Sequence, residues 1–294
     1  MRLPRFECLE PKTIQEACSL LSQYKGKARI NAGGTDLLVK MKNRETKPRY
    51  LIRLKNIPHL NYIEPDETGG LKIGTLSTLD DVDTSPLIKE KFDILTQVVQ
   101  QMGSPQIRNL ATIGGNLCNA APSADTAPAL IVMGAKLRLT SPTRERIVPL
   151  EEFFIGPEKT ILGDEELLVE IRVPNPLPYS GGVYIKHTIR RAMDLAILSV
   201  AVMITFDTPV TCKDIKIALG AAAPTPIRAQ EAENILRDET IDNKQIERVA
   251  QAAMDESRPR TSIRATAEYR RKMARVLTRR VVSQAWEKAK SAKP

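Results

Sequence analysis

Residues that bind metals and aromatic residues are both scarce in this sequence. The 294 residues include four cysteines and two histidines, and no two cysteines show the C-x-x-C spacing of a zinc or iron–sulfur site. We therefore expect no metal site in this chain, and we expect its cysteines to be free thiols in a reducing compartment. Aromatic residues make up 4% of the chain, so aliphatic side chains must form most of the core.

Long apolar runs are also lacking, and we expect no N-terminal targeting signal. The longest apolar stretch, residues 195–206, is too short for the roughly 20 residues that a membrane-spanning helix needs. Charged residues occur near the start of the chain before any apolar run develops. These features predict a cytoplasmic protein without a membrane span.

The net charge of +9 is concentrated at the C-terminal end. Residues 258–294 hold 12 of the 44 Lys and Arg residues but 2 of the 35 Asp and Glu residues, so the rest of the chain is close to neutral. Leu277 and Val281 recur among these charges at helical intervals, and no aromatic residues alternate with them to stack on bases. We therefore expect no nucleic-acid binding, and we favour a basic helix that docks an acidic protein partner.

The length and the apolar pattern predict two domains. Strand-like runs at 27–32, 50–54, 71–74 and 165–173, with helical segments between them, predict an α+β domain over residues 1–176. A run rich in Pro and Gly at 174–182 predicts a linker. Residues 177–294 then predict a smaller domain of strands followed by helices, with helices expected at 228–237, 243–254 and about 263–290.

The first of two glycine pairs follows a predicted strand. It lies in the segment Ile30-Asn31-Ala32-Gly33-Gly34-Thr35-Asp36-Leu37, with a helix start predicted at Thr35-Asp36. Residues without a Cβ let the main chain turn tightly and approach a ligand closely. The N–H groups at a helix start favour an anion, for which a pyrophosphate is the natural candidate. Because Asp36 is acidic, we assign it to helix capping or to a ribose hydroxyl.

The second glycine pair lies in Thr112-Ile113-Gly114-Gly115-Asn116 and is predicted to form a loop with the same chemistry. It continues into small residues that suit a wall against a flat ligand, ending at Asp125, whose carboxylate can accept hydrogen bonds from ligand hydroxyls. Either pair alone is typical of an ordinary turn, but the two together favour two walls of one diphosphate site. Neither matches G-x-G-x-x-G or the P-loop, so a Rossmann domain and an NTPase are disfavoured.

Segments along nearly the whole chain resemble, in order, the FAD-binding medium subunits of the molybdenum hydroxylases, which include xanthine dehydrogenase and carbon monoxide dehydrogenase. Residues 32–38 and 111–125 resemble the two FAD pyrophosphate motifs of that family. Residues 166–174, 184–196, 218–229 and 263–271 are similar to its later segments. The ordered combination is far more specific than any one of these pieces.

The resemblance implies an α+β fold: a two-part FAD-binding domain of the vanillyl-alcohol-oxidase (PCMH) type over 1–176, and a smaller C-terminal sheet-plus-helices domain over 177–294. It implies that both glycine segments hold the FAD diphosphate, that Asp125 binds cofactor hydroxyls, that Leu168 packs on the cofactor, and that Lys186 lies near the flavin. The expected cofactor-binding residues are Ile30, Asn31, Ala32, Gly33, Gly34, Thr35, Asp36, Leu37, Thr112, Ile113, Gly114, Gly115, Asn116, Cys118, Asp125, Leu168 and Lys186.

The resemblance also implies the function and the partners. The chain would take electrons from 2Fe-2S clusters on a small partner subunit and deliver them to an external acceptor such as NAD. A large partner subunit would carry the molybdenum cofactor, in a dimer of heterotrimers. Because neither glycine segment contains a histidine, FAD is expected to be non-covalent, and no catalytic acid or base is expected in this chain. A self-sufficient FAD-dependent reductase of the same fold and a non-catalytic basic interaction protein are the alternatives.

Overall fold

The computed structural model describes residues 2–208 and 211–292. Its strands are β1 Glu7–Leu9, β2 Ala28–Asn31, β3 Tyr50–Arg53, β4 Ile63–Pro65, β5 Leu71–Gly74, β6 Lys136–Thr140, β7 Glu145–Pro149, β8 Phe154–Gly156, β9 Lys159–Thr160, β10 Leu167–Val173, β11 Ser180–His187, β12 Leu198–Thr208, β13 Thr211–Gly220 and β14 Ile227–Arg228. Its helices are α1 Ile14–Gln23, α2 Leu37–Lys42, α3 Leu79–Thr84, α4 Pro86–Lys91, α5 Asp93–Val99, α6 Pro105–Arg108, α7 Ile113–Asn119, α8 Thr126–Val132, α9 Gln230–Asn234, α10 Asn243–Glu256 and α11 Ala267–Ser291.

The first part of the chain forms a three-stranded parallel sheet in the order β1-β3-β2. Thr13 caps α1, because its hydroxyl accepts a hydrogen bond from the Glu16 backbone N–H at 3.1 Å. Ala17 and Cys18 on this helix are fully buried in one core cluster with Ile52 of β3. Sequence reasoning missed β1, because a three-residue strand is too short to show an alternating pattern.

The second part is a five-stranded antiparallel sheet in the order β4-β5-β10-β6-β7. Its central strand, β10, confirms the strand predicted at 165–173, and each of its residues except Arg172 is buried. Helices α5, α7 and α8 contribute to the same hydrophobic core as this sheet. The two sheets together confirm the two-part α+β fold expected for the N-terminal region.

The C-terminal region has a four-stranded antiparallel sheet in the order β11-β12-β13-β14. Helix α11 packs against β11 and β12, and its buried residues Val281 and Val282 share a core with Val200 and Val202. Tyr184 and other residues of this sheet instead belong to the core that contains α5 and α8. The C-terminal sheet is therefore packed between its own helices and the N-terminal region.

The linker is shorter than the sequence indicated. Residues 180–182 are the first residues of β11 and pair with 203–205 of β12. A Cβ at Gly181 would lie 2.5 Å from the Ala289 backbone nitrogen, so the missing side chain lets α11 pack directly on the strand. The prediction that the linker runs to Gly182 was wrong, because these glycines serve close packing. The domain boundary between residues 176 and 177 stays a prediction.

Two C-terminal helices are shorter than predicted. Helix α11 begins at Ala267, four residues later than expected, because the Thr266 hydroxyl accepts a hydrogen bond from the Tyr269 N–H at 3.2 Å and caps the helix there. The helix predicted at 228–237 extends only over α9, since residues 227–228 pair with β13 as a strand. None of the helices in the described ranges is long and apolar enough to cross a membrane.

Candidate cofactor cleft

A cleft of about 1250 Å³ opens between the two N-terminal sheets and the edge of the C-terminal region. Residues of both glycine segments line it, together with Glu158, Thr160 and residues 162–164. The C-terminal region contributes Lys186, Arg190 and Arg264. Pockets for drug-sized ligands usually measure about 300–1,000 Å³, so this cleft has room for an extended ligand such as a dinucleotide. Most of the residues that sequence analysis assigned to one site therefore do surround one space.

The first glycine segment presents a row of free N–H groups on the cleft wall. From Gly33 to Leu37, no backbone N–H donates a hydrogen bond to another residue in the described parts of the chain. The same five residues line the cleft. Consecutive main-chain N–H groups without protein acceptors carry a partial positive charge and are suited to an anionic ligand. A diphosphate therefore fits this wall.

Two different physical requirements place glycine at residues 33 and 34. A Cβ at Gly33 would overlap the Leu110 carbonyl group, so Gly33 lets the first segment touch the chain just before the second one. Gly34 has φ +74°, in the left-handed region where side chains are strained. The backbone of the first segment therefore bends at Gly34 and, at Gly33, contacts the backbone of Leu110 just before the second segment.

The second glycine pair lies in the first turn of α7. The Thr112 hydroxyl accepts a hydrogen bond from the Gly115 N–H at 3.0 Å, while Gly114 donates to the Thr75 carbonyl at 3.0 Å. The prediction of a second loop with the same chemistry as the first was wrong, because capping by Thr112 makes the segment helical and its N–H groups already have protein acceptors.

The second segment instead offers small residues and one free amide. Asn116 accepts a hydrogen bond from the Thr126 hydroxyl at 2.6 Å through its side-chain oxygen, and its amide nitrogen donates to no other described residue. Cys118 also lines the cleft, and burial raises the pKa of its thiol to about 12, so it stays protonated at neutral pH. This wall can contact a ligand through hydrogen-bond donors and apolar surface but carries no charge of its own.

A buried ion pair lies where the cleft borders the C-terminal region. Lys186 Nζ lies 2.8 Å from Asp125 Oδ2, and the side chains of both residues are less than a tenth exposed. The Tyr184 hydroxyl donates a hydrogen bond of 2.8 Å to Asp125 Oδ1. Burial raises the pKa of Asp125, and the Lys186 ammonium and Tyr184 hydroxyl oppose that rise. Both carboxylate oxygens of Asp125 therefore already have partners within the protein.

The structure brings most, but not all, of the expected cofactor-binding residues to the cleft wall. Those that line it are Ile30, Ala32, Gly33, Gly34, Thr35, Asp36, Leu37, Thr112, Gly115, Asn116, Cys118, Asp125 and Lys186. Asn31 lies in β2 beside the wall. Ile113 and Leu168 are buried in the hydrophobic core, and Gly114 packs against Thr75. These last three residues do not line the cleft.

Asp36 does not cap α2 through its side chain. It occupies the cap position of this helix, but its carboxylate accepts no hydrogen bond from the first turn. The backbone of Asp36 is already helical at φ −94° and ψ −48°, whereas side-chain capping uses an extended conformation. The capping assignment was therefore wrong, and the ribose assignment stays a prediction.

Sequence reasoning did not single out several residues of the cleft wall. Lys40, Asn119, Glu158 and Arg264 line it but belong to no glycine motif. They come from four distant parts of the sequence, and only the fold brings them to one cavity. Arg190 also lines the cleft, and its guanidinium lies 3.6 Å from the carboxylate of Asp194 on the same wall.

Glu166 holds the turn at residues 163–166 on the cleft wall, and its ionisation should make the stability of the protein depend on acidic pH. Arg146 donates to both of its carboxylate oxygens, at 2.9 and 2.7 Å, and Gly163 N–H donates at 2.8 Å. The Arg146 hydrogen bond is the main cause that lowers the pKa of Glu166 below its ordinary value of 4.5. The stability from this pair is therefore present above pH 4.5 and is lost as pH falls through the lowered pKa.

We expect Glu166→Gln to lower the free energy of unfolding at pH 7 by about 2 kcal/mol, the usual contribution of a hydrogen bond to a charged group. The variant should lose less further stability than wild type on acidification below pH 4.5. Urea unfolding at pH 7 and at several lower pH values checks this. Parallel acid dependence in the two proteins would show that Glu166 is not the titrating group.

Comparison with known proteins agrees with this fold. Residues 4–176 match the family model for the FAD binding domain in molybdopterin dehydrogenase, and residues 184–285 match that for the CO dehydrogenase flavoprotein C-terminal domain. The chain is 33% identical to a putative xanthine dehydrogenase FAD-binding subunit of Escherichia coli (strain K12), over 93% of each chain.

Two solved structures are similar along their whole length. A chain of carbon monoxide dehydrogenase from Hydrogenophaga pseudoflava has a TM-score of 0.95 and 33% identity, with 98% of this chain and 99% of that chain covered. A chain of quinoline 2-oxidoreductase from Pseudomonas putida 86 has a TM-score of 0.92 and 27% identity, with 99% and 100% covered.

The fold is thus that of an FAD-binding oxidoreductase flavoprotein. The chain belongs to the family of FAD-binding medium subunits of the molybdenum hydroxylases. The family and the fold expected from the sequence are both confirmed.

Proposed function

We propose that this chain holds FAD non-covalently in the cleft and transfers electrons within a molybdenum hydroxylase complex. It would receive them from iron–sulfur clusters of a partner subunit and deliver them to an external acceptor such as NAD. The observation that carries the proposal is the row of free N–H groups from Gly33 to Leu37 on the wall of a cleft large enough for a dinucleotide. Bound FAD would supply the redox chemistry.

The chain's own residues would bind and orient the cofactor. The N–H groups of the first glycine segment would hold the diphosphate, and the Asn116 amide would add a donor from the opposite wall. Gly115 and Cys118 would give a small, uncharged contact surface. Lys186 would place a positive charge at the C-terminal end of the cleft, with Asp125 holding its ammonium. We assign no general acid or base to this chain.

The composition of the complex is part of the proposal. A large subunit would carry the molybdenum cofactor and a small one the 2Fe-2S clusters, in a cytoplasmic dimer of heterotrimers. Relatives named for xanthine, carbon monoxide and quinoline share this chain's fold, which supports placing substrate oxidation on another subunit. The basic surface of α11 would face an acidic partner subunit. Residues 1–176 and 177–294 would form the two domains of this chain.

Reconstitution of the purified full chain with FAD tests the binding part of this proposal. We expect one FAD per chain, with a flavin absorption spectrum, and complete release of the flavin into solution when the protein is denatured by acid. A folded chain that takes up no flavin would refute the proposed function. Flavin that stays attached after denaturation would refute the non-covalent assignment.

Purification of the native complex tests the electron-transfer part. We expect molybdenum and iron–sulfur subunits to co-purify, and the flavin to be reduced by the hydroxylated substrate only when those subunits are present. Rapid reduction of the isolated chain by a substrate of its own would favour a self-sufficient reductase.

A further inference from the structure

Lys40 joins two separate parts of the cleft wall. Its Nζ lies 2.9 Å from Asn119 Oδ1 and 2.9 Å from Glu158 Oε1. Lys40 belongs to α2, which follows the row of free N–H groups, whereas Asn119 ends α7 and Glu158 lies in the turn between β8 and β9. All three residues line the cleft. One ammonium therefore ties the first part of the N-terminal region to the second.

The backbone at or next to the two residues that accept hydrogen bonds from this ammonium is in a strained conformation. Ala120 and Glu158 are both in the left-handed region, at φ 48° and φ 58°, and neither is glycine. The Glu158 N–H donates to the Ala120 carbonyl at 2.9 Å, so the two strained residues hold each other. Such conformations persist only where the surrounding structure fixes them. The backbone that carries Asn119 and Glu158 is thus fixed, and it places both acceptors within reach of Lys40, although the Glu158 side chain is 58% exposed.

The segment from Gly33 to Lys40 is attached to the second part of the region at both ends. At one end Gly33 touches the backbone of Leu110, and at the other Lys40 reaches Asn119 and Glu158. Between these ends the N–H groups of residues 33–37 have no acceptor in the described parts of the chain. The position of this row relative to the opposite wall therefore depends on the two attachments.

We propose that Lys40, Asn119 and Glu158 form a clamp that fixes the width of the cofactor cleft before the cofactor enters. Lys40 acts as a positioning residue, since its ammonium is held by Glu158 and the clamp works through the N–H row. A preorganised cleft binds more tightly, because the ligand need not order the two walls. This inference rests on the proposed binding of FAD in the cleft.

Lys40→Met tests the clamp, with Lys42→Met as the matched control. Lys42 lies on the same helix, is exposed, and has no ion pair or side-chain hydrogen bond with a described residue. We expect Lys40→Met to weaken FAD binding about tenfold, or about 1.4 kcal/mol, with the loss appearing mainly as slower association. The control should bind FAD like wild type, and Lys40→Arg should restore most of the affinity.

Glu158→Gln separates positioning from direct contact with the cofactor. If the clamp is correct, this variant also weakens FAD binding, and the double variant with Lys40→Met is no weaker than the more affected single variant. If Lys40 binds the diphosphate directly, neutralising Glu158 releases its ammonium and leaves FAD binding unchanged or tighter. That second result would overturn the proposal.

Hydrogen exchange of the FAD-free full chain gives a readout that does not depend on flavin. We expect faster amide exchange in α2 for Lys40→Met and Glu158→Gln, but not for Lys42→Met, with an unchanged unfolding midpoint for all three. Unchanged α2 exchange in both clamp variants would refute the clamp. If wild type took up no FAD, the proposed function would fail, and exchange alone would decide about the clamp.

Discussion

Replacing Gly33 with alanine should abolish stable FAD retention. The added Cβ would overlap the Leu110 carbonyl, so the first glycine segment must move away from the second and carry its N–H groups with it. We expect FAD binding to weaken at least about a hundredfold, or about 2.8 kcal/mol. The strain of overpacking should also lower the free energy of unfolding by about 1–3 kcal/mol.

Gly156→Ala is the matched control for this substitution. A Cβ there would meet only Lys159 side-chain atoms at 3.9 Å, which is ordinary contact, and Gly156 does not line the cleft. Isothermal titration with FAD and urea unfolding of both variants check the prediction. A folded Gly33→Ala protein that binds FAD like wild type would show that the segment does not hold the cofactor.

Removing the ammonium of Lys186 should give the largest loss of stability among single changes in the cleft. Lys186→Met leaves the carboxylate of Asp125 buried, with the Tyr184 hydroxyl as its remaining side-chain donor. Breaking a buried ion pair on one side costs about 3–5 kcal/mol. We expect a loss of that size at pH 7, together with weaker FAD binding.

The pH dependence and a surface control sharpen this prediction. Without the ammonium, the rise that burial causes in the pKa of Asp125 is no longer opposed by Lys186. Protonation of Asp125 then removes the unpaired charge, so the loss of stability in Lys186→Met should shrink as pH falls. Lys272→Met breaks the exposed pair with Glu268 and should leave the unfolding midpoint nearly unchanged. Equal effects of the two substitutions would contradict the buried-pair assignment.

Much of the fold could be predicted from local signals. The Thr13 and Thr78 caps lie three residues before an acidic residue, Glu16 and Asp81, which is a spacing visible in the sequence. The buried strand β10 follows from an unbroken apolar run. One error falls where a tertiary contact overrides the local pattern, and the other where a local capping residue was overlooked. Gly181 was read as part of a linker, but α11 packs directly against it. Gly114 and Gly115 were read as a loop, but Thr112 caps a helix over them.

The sequence predicted which residues line the cleft better than it predicted which of their polar groups are free to bind a ligand. The sequence identified both glycine segments, Asp125 and Lys186, and these residues do surround one cleft. It could not show that only the first segment has free N–H groups, because hydrogen-bond partners such as the Thr75 carbonyl come from elsewhere in the chain. It also gave no reason to select Lys40 or Glu158, which carry no motif.

The sequence by itself determined the family, most of the longer strands and helices, and the segments that carry the glycines, because caps, apolar periods and motifs are local properties of the chain. Only the tertiary structure decided which polar groups remain free and which are already paired. That difference arises because a hydrogen bond depends on distances between residues far apart in sequence, as between Lys40 and Glu158 or between Asp125 and Lys186. Folding thus decides which of the candidate groups are available to a ligand.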